Sequence, residues 1–137
     1  MMISTKGRYA LRVMIDLAQN GNDQYISLKD VANRQEISMK YLEMIVSILH
    51  KGGMVMSLRG KSGGYKLARK PDEYTLGSIL KLTEGSLAPV FCLENGAEQC
   101  ARAEKCITLP LWRKLDQMID ECLEQYTLQD LIDGKIK

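Results

Sequence analysis

The chain has 137 residues, of which 45% are hydrophobic and 26% are charged. This length fits one domain-sized unit with its own core, and no apolar run approaches the roughly 18 residues that a membrane-spanning helix needs. The N-terminal stretch MMISTKGRYALRVM contains lysine and arginine but lacks the continuous apolar segment of a signal peptide. We therefore expect a soluble, cytoplasmic protein without a membrane partner.

The net charge of +2 conceals two halves of opposite sign. Residues 1–70 contain 12 lysines and arginines against 5 acidic residues, whereas residues 71–137 contain 7 against 12. A basic first half favours a polyanion such as nucleic acid as the partner, and an acidic second half indicates that the remainder of the chain has another role.

Three amphipathic helices are predicted in the basic half. Apolar residues recur at helical spacing over residues 9–18, and the Asn-Gly pair that follows predicts the end of the first helix. Ser27 stands three residues before Asp30, a capping pattern that begins a second, short helix. After a short break, Ser38 begins a third helix, which ends at the glycine pair 52–53. Two short helices separated by such a break predict a helix-turn-helix.

A basic hairpin follows the third helix. Residues 55–58 and 65–68 are short strand candidates on either side of the glycine-rich turn RGKSGG. A hairpin in this position is typical of the wing of a winged helix-turn-helix. The segment TLGSILKLTEG then predicts a fourth helix, which begins at Thr75 and ends at Gly85.

The longest helical pattern begins near Pro110, which suits the first turn of a helix. Its apolar stripe consists of Leu111, Leu115, Met118 and Cys122. A helix at the end of a small domain cannot bury such a stripe alone, so we expect it to pack against the same helix of a second copy. On this stripe Cys122 is expected to be a small core residue.

These patterns predict a mainly α-helical fold with a small β-hairpin wing, in which a winged helix-turn-helix is followed by a long C-terminal dimerisation helix. We place the DNA-binding domain at residues 1–72 and a connecting helix and loop at 73–91. A cysteine-bearing cluster loop follows at 92–106, and the dimerisation helix with its C-terminal turn occupies 107–137.

The predicted DNA-reading residues lie at the start of the third helix, in the wing and on the first helix. The major groove admits one helix, and only its first exposed residues reach base edges. Lysine and serine donate to phosphates or bases, glutamate accepts from cytosine, and arginine suits phosphate or a narrow minor groove. The candidates are Ser38, Met39, Lys40, Tyr41, Glu43, Arg59, Gly60, Lys61, Lys6, Arg8 and Arg12. For Met39 and Tyr41, packing within the protein is the alternative interpretation.

Three of the four cysteines form the pattern Cys92-x7-Cys100-x5-Cys106. Thiolates are soft ligands that favour zinc, copper(I) or an iron–sulfur cluster. Zinc fingers generally use cysteine pairs two to four residues apart, whereas wider spacing with glycine can enclose a bulkier cluster. The alternative is three incidental reduced thiols in a loop.

The segments STKGRYAL, ISMKYLE, LRGKSGGY and CITLPLW resemble the IscR-like family of bacterial winged-helix transcriptional regulators, which also includes NsrR and CymR. The resemblance extends over nearly the whole chain. It implies a homodimer that binds double-stranded operator DNA and usually represses transcription. The contacts implied by position are Ser38, Lys40, Tyr41 and Glu43 in the recognition helix and Arg59 and Gly60 in the wing.

Cluster-bearing members of this family carry three cysteines in the corresponding loop. The resemblance therefore implies an iron–sulfur cluster, either 2Fe–2S or 4Fe–4S, on Cys92, Cys100 and Cys106, and such a cluster is susceptible to loss in aerobic preparations. This sequence departs from the IscR-like pattern at Leu109, where a histidine is expected, so the cluster type and the fourth ligand stay open.

Several groups remain candidates for the fourth ligand. A water molecule, a small exogenous ligand, or a carboxylate such as Glu98 or Glu104 would complete the set. The single histidine, His50, lies near the end of the recognition helix and is interpreted as a C-terminal cap rather than as a ligand.

The sequence thus favours a transcription factor that senses iron–sulfur status, oxygen or nitric oxide. One alternative keeps the DNA-binding role but uses the thiols as a redox switch or for a different metal. Another is a regulatory module that binds a partner enzyme, as the resemblance to CymR permits. The chain itself is not expected to be an enzyme, because the sequence offers no histidine-based dyad and GKSGG lacks the strand–loop–helix setting of a P-loop.

Overall fold

A computed structural model describes residues 3–94, 97–98 and 100–137 of the chain. These residues form six α-helices and one two-stranded antiparallel sheet. The helices are α1 (Thr5–Gly21), α2 (Leu28–Gln35), α3 (Met39–Lys51), α4 (Leu76–Glu84), α5 (Leu109–Gln125) and α6 (Leu128–Ile132), and the strands are β1 (Val55–Leu58) and β2 (Gly64–Leu67). The predicted fold class, mainly α-helical with a hairpin wing, is confirmed.

Polar side chains cap the helices at the positions that the sequence indicates. The hydroxyls of Ser27, Ser38 and Thr75 accept hydrogen bonds from the backbone amide three residues further on, at 3.2, 3.3 and 3.0 Å. Each hydroxyl satisfies an amide that has no partner within its own helix. Helix α1 begins earlier than its apolar pattern suggests, because Ser4 caps it in the same way.

An ion pair between the exposed Arg34 and the buried Asp16 attaches α2 to α1. The side chain of Asp16 is 0% exposed and accepts hydrogen bonds from Nε and Nη2 of Arg34, at 3.0 and 2.8 Å, and from Nε2 of Gln35, at 2.9 Å. The hydrogen bonds to Asp16 raise the pKa of the Arg34 guanidinium above its ordinary value. A forked contact of this kind has a defined geometry, so it fixes how α2, and therefore the turn leading to α3, sits on α1.

The core lies between α1, α3, α4 and the wing. Its fully buried members include Val13, Met14, Leu42, Ile45, Ile79 and Leu128. Leu128 belongs to α6, so the C-terminal end of the chain returns to the winged-helix core. Two backbone hydrogen bonds of 2.9 Å hold it there, from Leu128 N to Tyr74 O and from Leu76 N to Tyr126 O. The division into segments at residues 72, 91 and 106 stays a prediction.

The wing is a short antiparallel hairpin with one further bridge. Val55 pairs with Leu67 and Ser57 with Tyr65, so β2 begins one residue earlier than predicted. Ile26, just before α2, exchanges two backbone hydrogen bonds of 2.9 Å with Tyr65. This bridge joins the wing to the start of the helix-turn-helix.

Helix α5 makes little contact with the rest of its own chain. Lys81 of α4 bonds the carboxylates of Asp120 and Glu124, and Leu109 is the one buried residue of α5. None of the helices in the described part of the chain is long and apolar enough to cross a membrane.

Candidate nucleic-acid interface and cysteine loop

Helix α3 has one buried face and one outward face. Leu42, Ile45, Val46 and Leu49 pack into the core, as their spacing predicts. The side chains exposed on the opposite side and its edges are Met39, Lys40, Glu43, Met44, Ser47, His50 and Lys51. This outward face carries two lysines and one glutamate on a capped helix, which is the composition expected of a helix that meets DNA.

The residues predicted at the start of α3 fall into two environments. Lys40 and Glu43 are exposed on the outward face. Ser38 uses its hydroxyl as the helix cap, accepting from the amide of Tyr41. The ring of Tyr41 is half-buried and meets Tyr9 edge to face, with centroids 5.7 Å apart. Packing therefore accounts for the Tyr41 ring, and the predicted contacts with DNA stay predictions.

The wing presents its basic residues at an exposed tip between β1 and β2. Arg59, Gly60 and Lys61 are all exposed, and neither cation forms an ion pair among the described residues. Gly60 has a φ of +111°, a conformation that favours glycine. At Gly64 a Cβ atom would overlap the backbone of Ile26. The glycines thus shape a tight tip on which both cations point to solvent.

The basic residues of α1 are partly engaged within the protein. The Arg12 guanidinium lies 4.9 Å from the Tyr9 ring centroid and donates to Oε1 of Gln35 at 3.1 Å. Arg8 is exposed and donates to the Thr5 hydroxyl at 3.1 Å, and Lys6 is half-buried. Arg12 therefore braces α1 against α2, whereas Arg8 remains near solvent.

His50 links α3 to the wing. Its Nε2 lies 3.3 Å from the Ser57 hydroxyl, and its ring stands edge-on to Tyr65 with centroids 6.5 Å apart. The cap interpretation made from the sequence is wrong in detail, because the imidazole contacts β1 rather than the last carbonyls of the helix. No cysteine of the described chain shares a ligand group with it.

The three loop cysteines lie in different surroundings. Cys92 is half-buried in the short turn Phe91–Leu93, Cys100 is exposed, and Cys106 is half-buried just before α5. Within residues 3–94, 97–98 and 100–137, no group of three or more His, Cys, Asp or Glu side chains is close enough to hold a metal ion. Three thiolates suit a soft metal centre, but here they are not drawn together.

Hydrogen bonds and a nearby cation favour the thiolate form of Cys106. Its sulfur lies 3.4 Å from the Thr108 hydroxyl. This contact lowers the pKa of the Cys106 thiol, and hydrogen bonds from the amides of Leu109 and Thr108 and the charge of Arg102 act in the same direction. A lower pKa means more thiolate near neutral pH, and thiolate is the nucleophilic and metal-binding form.

Exposed apolar side chains flank the cysteine loop on both sides. Phe91 precedes Cys92 and is 79% exposed, while Ile107 follows Cys106 and is 94% exposed. The predicted stripe of α5 continues this surface, and its exposed members are Leu111, Leu115, Met118 and Cys122. The prediction that Cys122 is a core residue does not hold within a single chain, because α5 has no partner on that side among the described residues.

A family model described as an iron-dependent transcriptional regulator, Rrf2, matches residues 3–134. The chain belongs to the Rrf2 family. The suspected relationship to IscR-like regulators is thereby confirmed, together with the winged-helix architecture.

Named relatives of this Rrf2 protein are regulators of transcription. CymR from Bacillus subtilis is 42% identical over 131 residues, which is 96% of this chain and 89% of CymR. Its solved structure has a TM-score of 0.79 at 39% identity and covers 98% of both chains. IscR from Pectobacterium atrosepticum is 36% identical over 98% of this chain and 81% of its own. The T. potens IscR structure has a TM-score of 0.76 at 35% identity, covering 98% of this chain and 88% of its own.

These matches support a DNA-binding regulator of transcription and not an enzyme, as predicted. The matches do not distinguish sensing through an iron–sulfur cluster from sensing through thiols alone, because IscR and CymR both match this Rrf2 chain over nearly its whole length.

Sequence reasoning missed a contact between the end of α4 and the start of α1. Oε1 of Glu84 accepts hydrogen bonds from N of Ser4 at 3.0 Å and from Oγ of Ser4 at 2.6 Å. A Cβ atom at Gly7 would overlap the same carboxylate oxygen, so a larger residue there would displace the Glu84 side chain from this contact. Glu84 is the last residue of α4, so this contact attaches the start of the segment between α4 and α5 to the N-terminus of α1. No local pattern joins residues 80 positions apart.

Sequence reasoning also missed part of the outward face of α3. Met44 and Ser47 are exposed there, four and seven residues after Lys40. The helical period alone identifies both positions, since residues at these spacings share one face of a helix.

Proposed function

We propose that this Rrf2 protein is a homodimeric repressor that binds operator DNA and senses iron–sulfur status, oxygen or nitric oxide through Cys92, Cys100 and Cys106. The observation that carries the proposal is the order in which the functional elements follow one another along the chain. A capped, basic recognition helix and wing are joined through α4 to a loop that contains three thiols and leads directly into α5.

The proposed DNA contacts are the outward residues of α3 and the wing tip. Lys40 and Glu43 are placed to meet base edges or phosphates in the major groove, while Arg59 and Lys61 are placed to meet the sugar–phosphate backbone or a narrow minor groove. Gly60 lets the wing backbone approach closely.

The proposed dimer forms through the exposed stripe of α5. A second copy is the occupant that fits best, because Leu111, Leu115 and Met118 form a helical seam on a helix whose opposite side already contacts α4. A two-fold dimer carries two recognition helices, and half-sites in the DNA are then about one helical turn, roughly 34 Å, apart.

The proposed cofactor is an iron–sulfur cluster on the three loop thiolates. The donors fit in chemical kind, since thiolates are the usual ligands of such clusters. Cys92, Cys100 and Cys106 must first move towards one another to form a common ligand set. Loading is therefore expected to reorganise the segment between α4 and α5.

This reorganisation would act as a switch, because both ends of the segment between α4 and α5 are attached to functional elements. Glu84, at the end of α4, contacts the N-terminus of α1, and Leu109, at the other end of the segment, begins α5. A change in the loop would alter the relative positions of the two winged-helix domains in the dimer. Operator affinity would then change, because the spacing of the two recognition helices must match the spacing of the half-sites. Operator affinity should be measured anaerobically at fixed salt for cluster-loaded and cluster-free protein. Equal affinities would contradict the switch.

Anaerobic reconstitution with iron and sulfide tests the cofactor. The wild-type protein is expected to gain visible absorption and acid-labile sulfide, and alanine at Cys92, Cys100 or Cys106 should remove or greatly reduce both. Cys122→Ala is the matched control, since Cys122 is also an exposed thiol but lies on α5. A colourless wild-type product, or loss only in Cys122→Ala, would contradict the proposal.

One alternative is a thiol switch without a cluster. Its support is the environment of Cys106 described above, together with the match to CymR, whose structure is described as that of a global cysteine regulator. The discriminating result is a colourless anaerobic protein whose operator affinity changes on treatment with oxidant and returns with a reductant.

A further inference from the structure

Met44 lies close to the centre of the surface that α3 turns outward. Lys40, Met44, Ser47 and Lys51 follow one another at intervals of four, three and four residues, so they share one stripe along the helix. This stripe is opposite the buried face of the helix, and Met44 is 41% exposed. A large apolar side chain therefore occupies the position where the helix would come nearest to the floor of a major groove.

Nothing in the described part of the chain covers this side chain on its outward side. DNA offers few apolar surfaces to a helix, because phosphates, sugars and most base-edge atoms are polar or charged. The main apolar group in the major groove is the 5-methyl group of thymine. Methionine is unbranched and polarizable, so its side chain can adapt to a small methyl surface.

Met39 is equally exposed, but its place on the helix is different. Five residues separate Met39 from Met44, so the two side chains point in directions well over a quarter-turn apart. Glu43 stands next to Met44 and can accept a hydrogen bond from the cytosine amine. The outward face of α3 thus places the apolar side chain of Met44 next to the hydrogen-bond acceptor Glu43.

We propose that Met44 contributes to operator specificity by contacting the 5-methyl group of a thymine in each half-site. This inference rests on the proposed function, since it requires that α3 enters the major groove. It assigns to Met44 a preference for thymine that the charged and hydrogen-bonding side chains of the same helix do not supply.

The experiment begins with DNA selected from a random duplex library by the wild-type dimer. Each thymine of the selected site is then replaced singly by deoxyuridine, which removes only the methyl group. At one thymine in each half-site we expect about a fourfold loss of wild-type affinity, the usual effect of exposing one buried methyl-sized group. Met44→Ala should bind the thymine and uracil sites equally well.

Met56→Ala is the matched control, because Met56 is a methionine of similar exposure, 45%, on the wing. It should retain the wild-type dependence on the methyl group. Met44→Gln supplies a second readout: glutamine pairs with adenine through two hydrogen bonds, so selection with this variant should replace the thymine by adenine.

The outcomes separate the inference from the function on which it rests. If the wild-type protein selects no DNA, both fail. If it binds a defined site but no thymine methyl matters, or if Met44→Ala retains the same methyl dependence, the inference alone is overturned. Retention of thymine at that strand position in the site selected by Met44→Gln would also contradict it.

Discussion

The winged-helix head, formed by α1 to α4 and the hairpin, differs from the region of the cysteine loop and α5 in how its side chains are buried and paired. In the head, the buried carboxylate of Asp16 has three hydrogen-bond donors within its own chain, and the apolar faces of α1, α3 and α4 cover one another. In the loop, the three thiols form no common ligand group among the described residues, and the flanking Phe91 and Ile107 are largely exposed. The head buries its core within a single chain, whereas the second region leaves large apolar side chains exposed.

Because of this difference, the stability of the two regions depends on different conditions. Burying apolar surface stabilises the head regardless of concentration or redox conditions. In the proposed dimer, the exposed stripe of α5 gains the same stabilisation when a second copy covers it, so this stabilisation depends on protein concentration. A region of this kind is suited to respond to a signal, since its state is not fixed by its own sequence.

The largest expected effect comes from the α5 stripe. Leu115→Glu places a carboxylate in both halves of a two-fold interface, so its cost counts twice, and we expect the dimer Kd to rise about a thousandfold. Sedimentation velocity across a concentration series measures it. Gln117→Glu is the control, because Gln117 is exposed on the same helix away from the stripe. A Leu115→Glu dimer as tight as wild type would show that α5 is not the interface.

The next effect concerns the self-sufficient head. Arg34→Ala leaves the Asp16 carboxylate buried with Gln35 as its remaining donor. We expect the free energy of unfolding to fall by about 2 kcal/mol, less than for a fully buried pair, because the Arg34 side chain is 39% exposed. Urea unfolding followed by circular dichroism, at equal protein concentrations, measures the change. Arg102→Ala, at an exposed position in the loop, should cost less than about 0.5 kcal/mol. Similar losses in both variants would remove the proposed contrast between the regions.

A smaller effect is expected at the wing tip. Arg59→Ala removes one phosphate-directed charge, so operator affinity should fall about tenfold and the slope of log K against log salt should decrease by roughly 1. Fluorescence anisotropy from low to moderate salt measures both quantities. Arg113→Ala, an exposed arginine of α5, should leave the slope unchanged. An unaltered footprint for Arg59→Ala would favour a role in binding a partner protein instead.

The smallest effect concerns the Cys106 thiol. Because the Thr108 contact lowers the pKa of this thiol, cluster-free wild-type protein should react with iodoacetamide at Cys106 several-fold faster than the Thr108→Ala variant at neutral pH. Raising the pH should reduce this difference. Peptide mass spectrometry measures the rate at Cys106 in both proteins. Equal rates would contradict the Thr108 contact.

Most of the head could be predicted from the sequence, because its signals are local. Ser27, Ser38 and Thr75 cap helices where hydroxyl patterns precede apolar periods, and the glycines of the wing mark a turn. Boundaries were less accurate: β2 begins one residue earlier than expected, since a two-residue period does not mark where pairing starts.

The rest depends on contacts that no local pattern encodes. The hydrogen bonds between Glu84 and Ser4 join residues at the two ends of the folded head. The return of Leu128 to the core is equally non-local. For the cysteine loop, spacing names the candidate ligands but does not bring the thiols together, because their arrangement depends on what binds them.

The anchoring of α6 has a mechanical consequence for α5. The backbone hydrogen bonds at Tyr126 and Leu128 clamp the C-terminal end of α5 to the head, while its first turn directly follows the cysteines. A helix of 17 residues is about 25 Å long, and Leu109 in its first turn is its one buried residue, so α5 is held at both ends. Rotating it by about 10° about Tyr126 would displace the end beside the thiols by roughly 4 Å. Such a rotation requires Leu109 to leave its buried position, so a rearrangement at the thiols and the release of Leu109 are coupled.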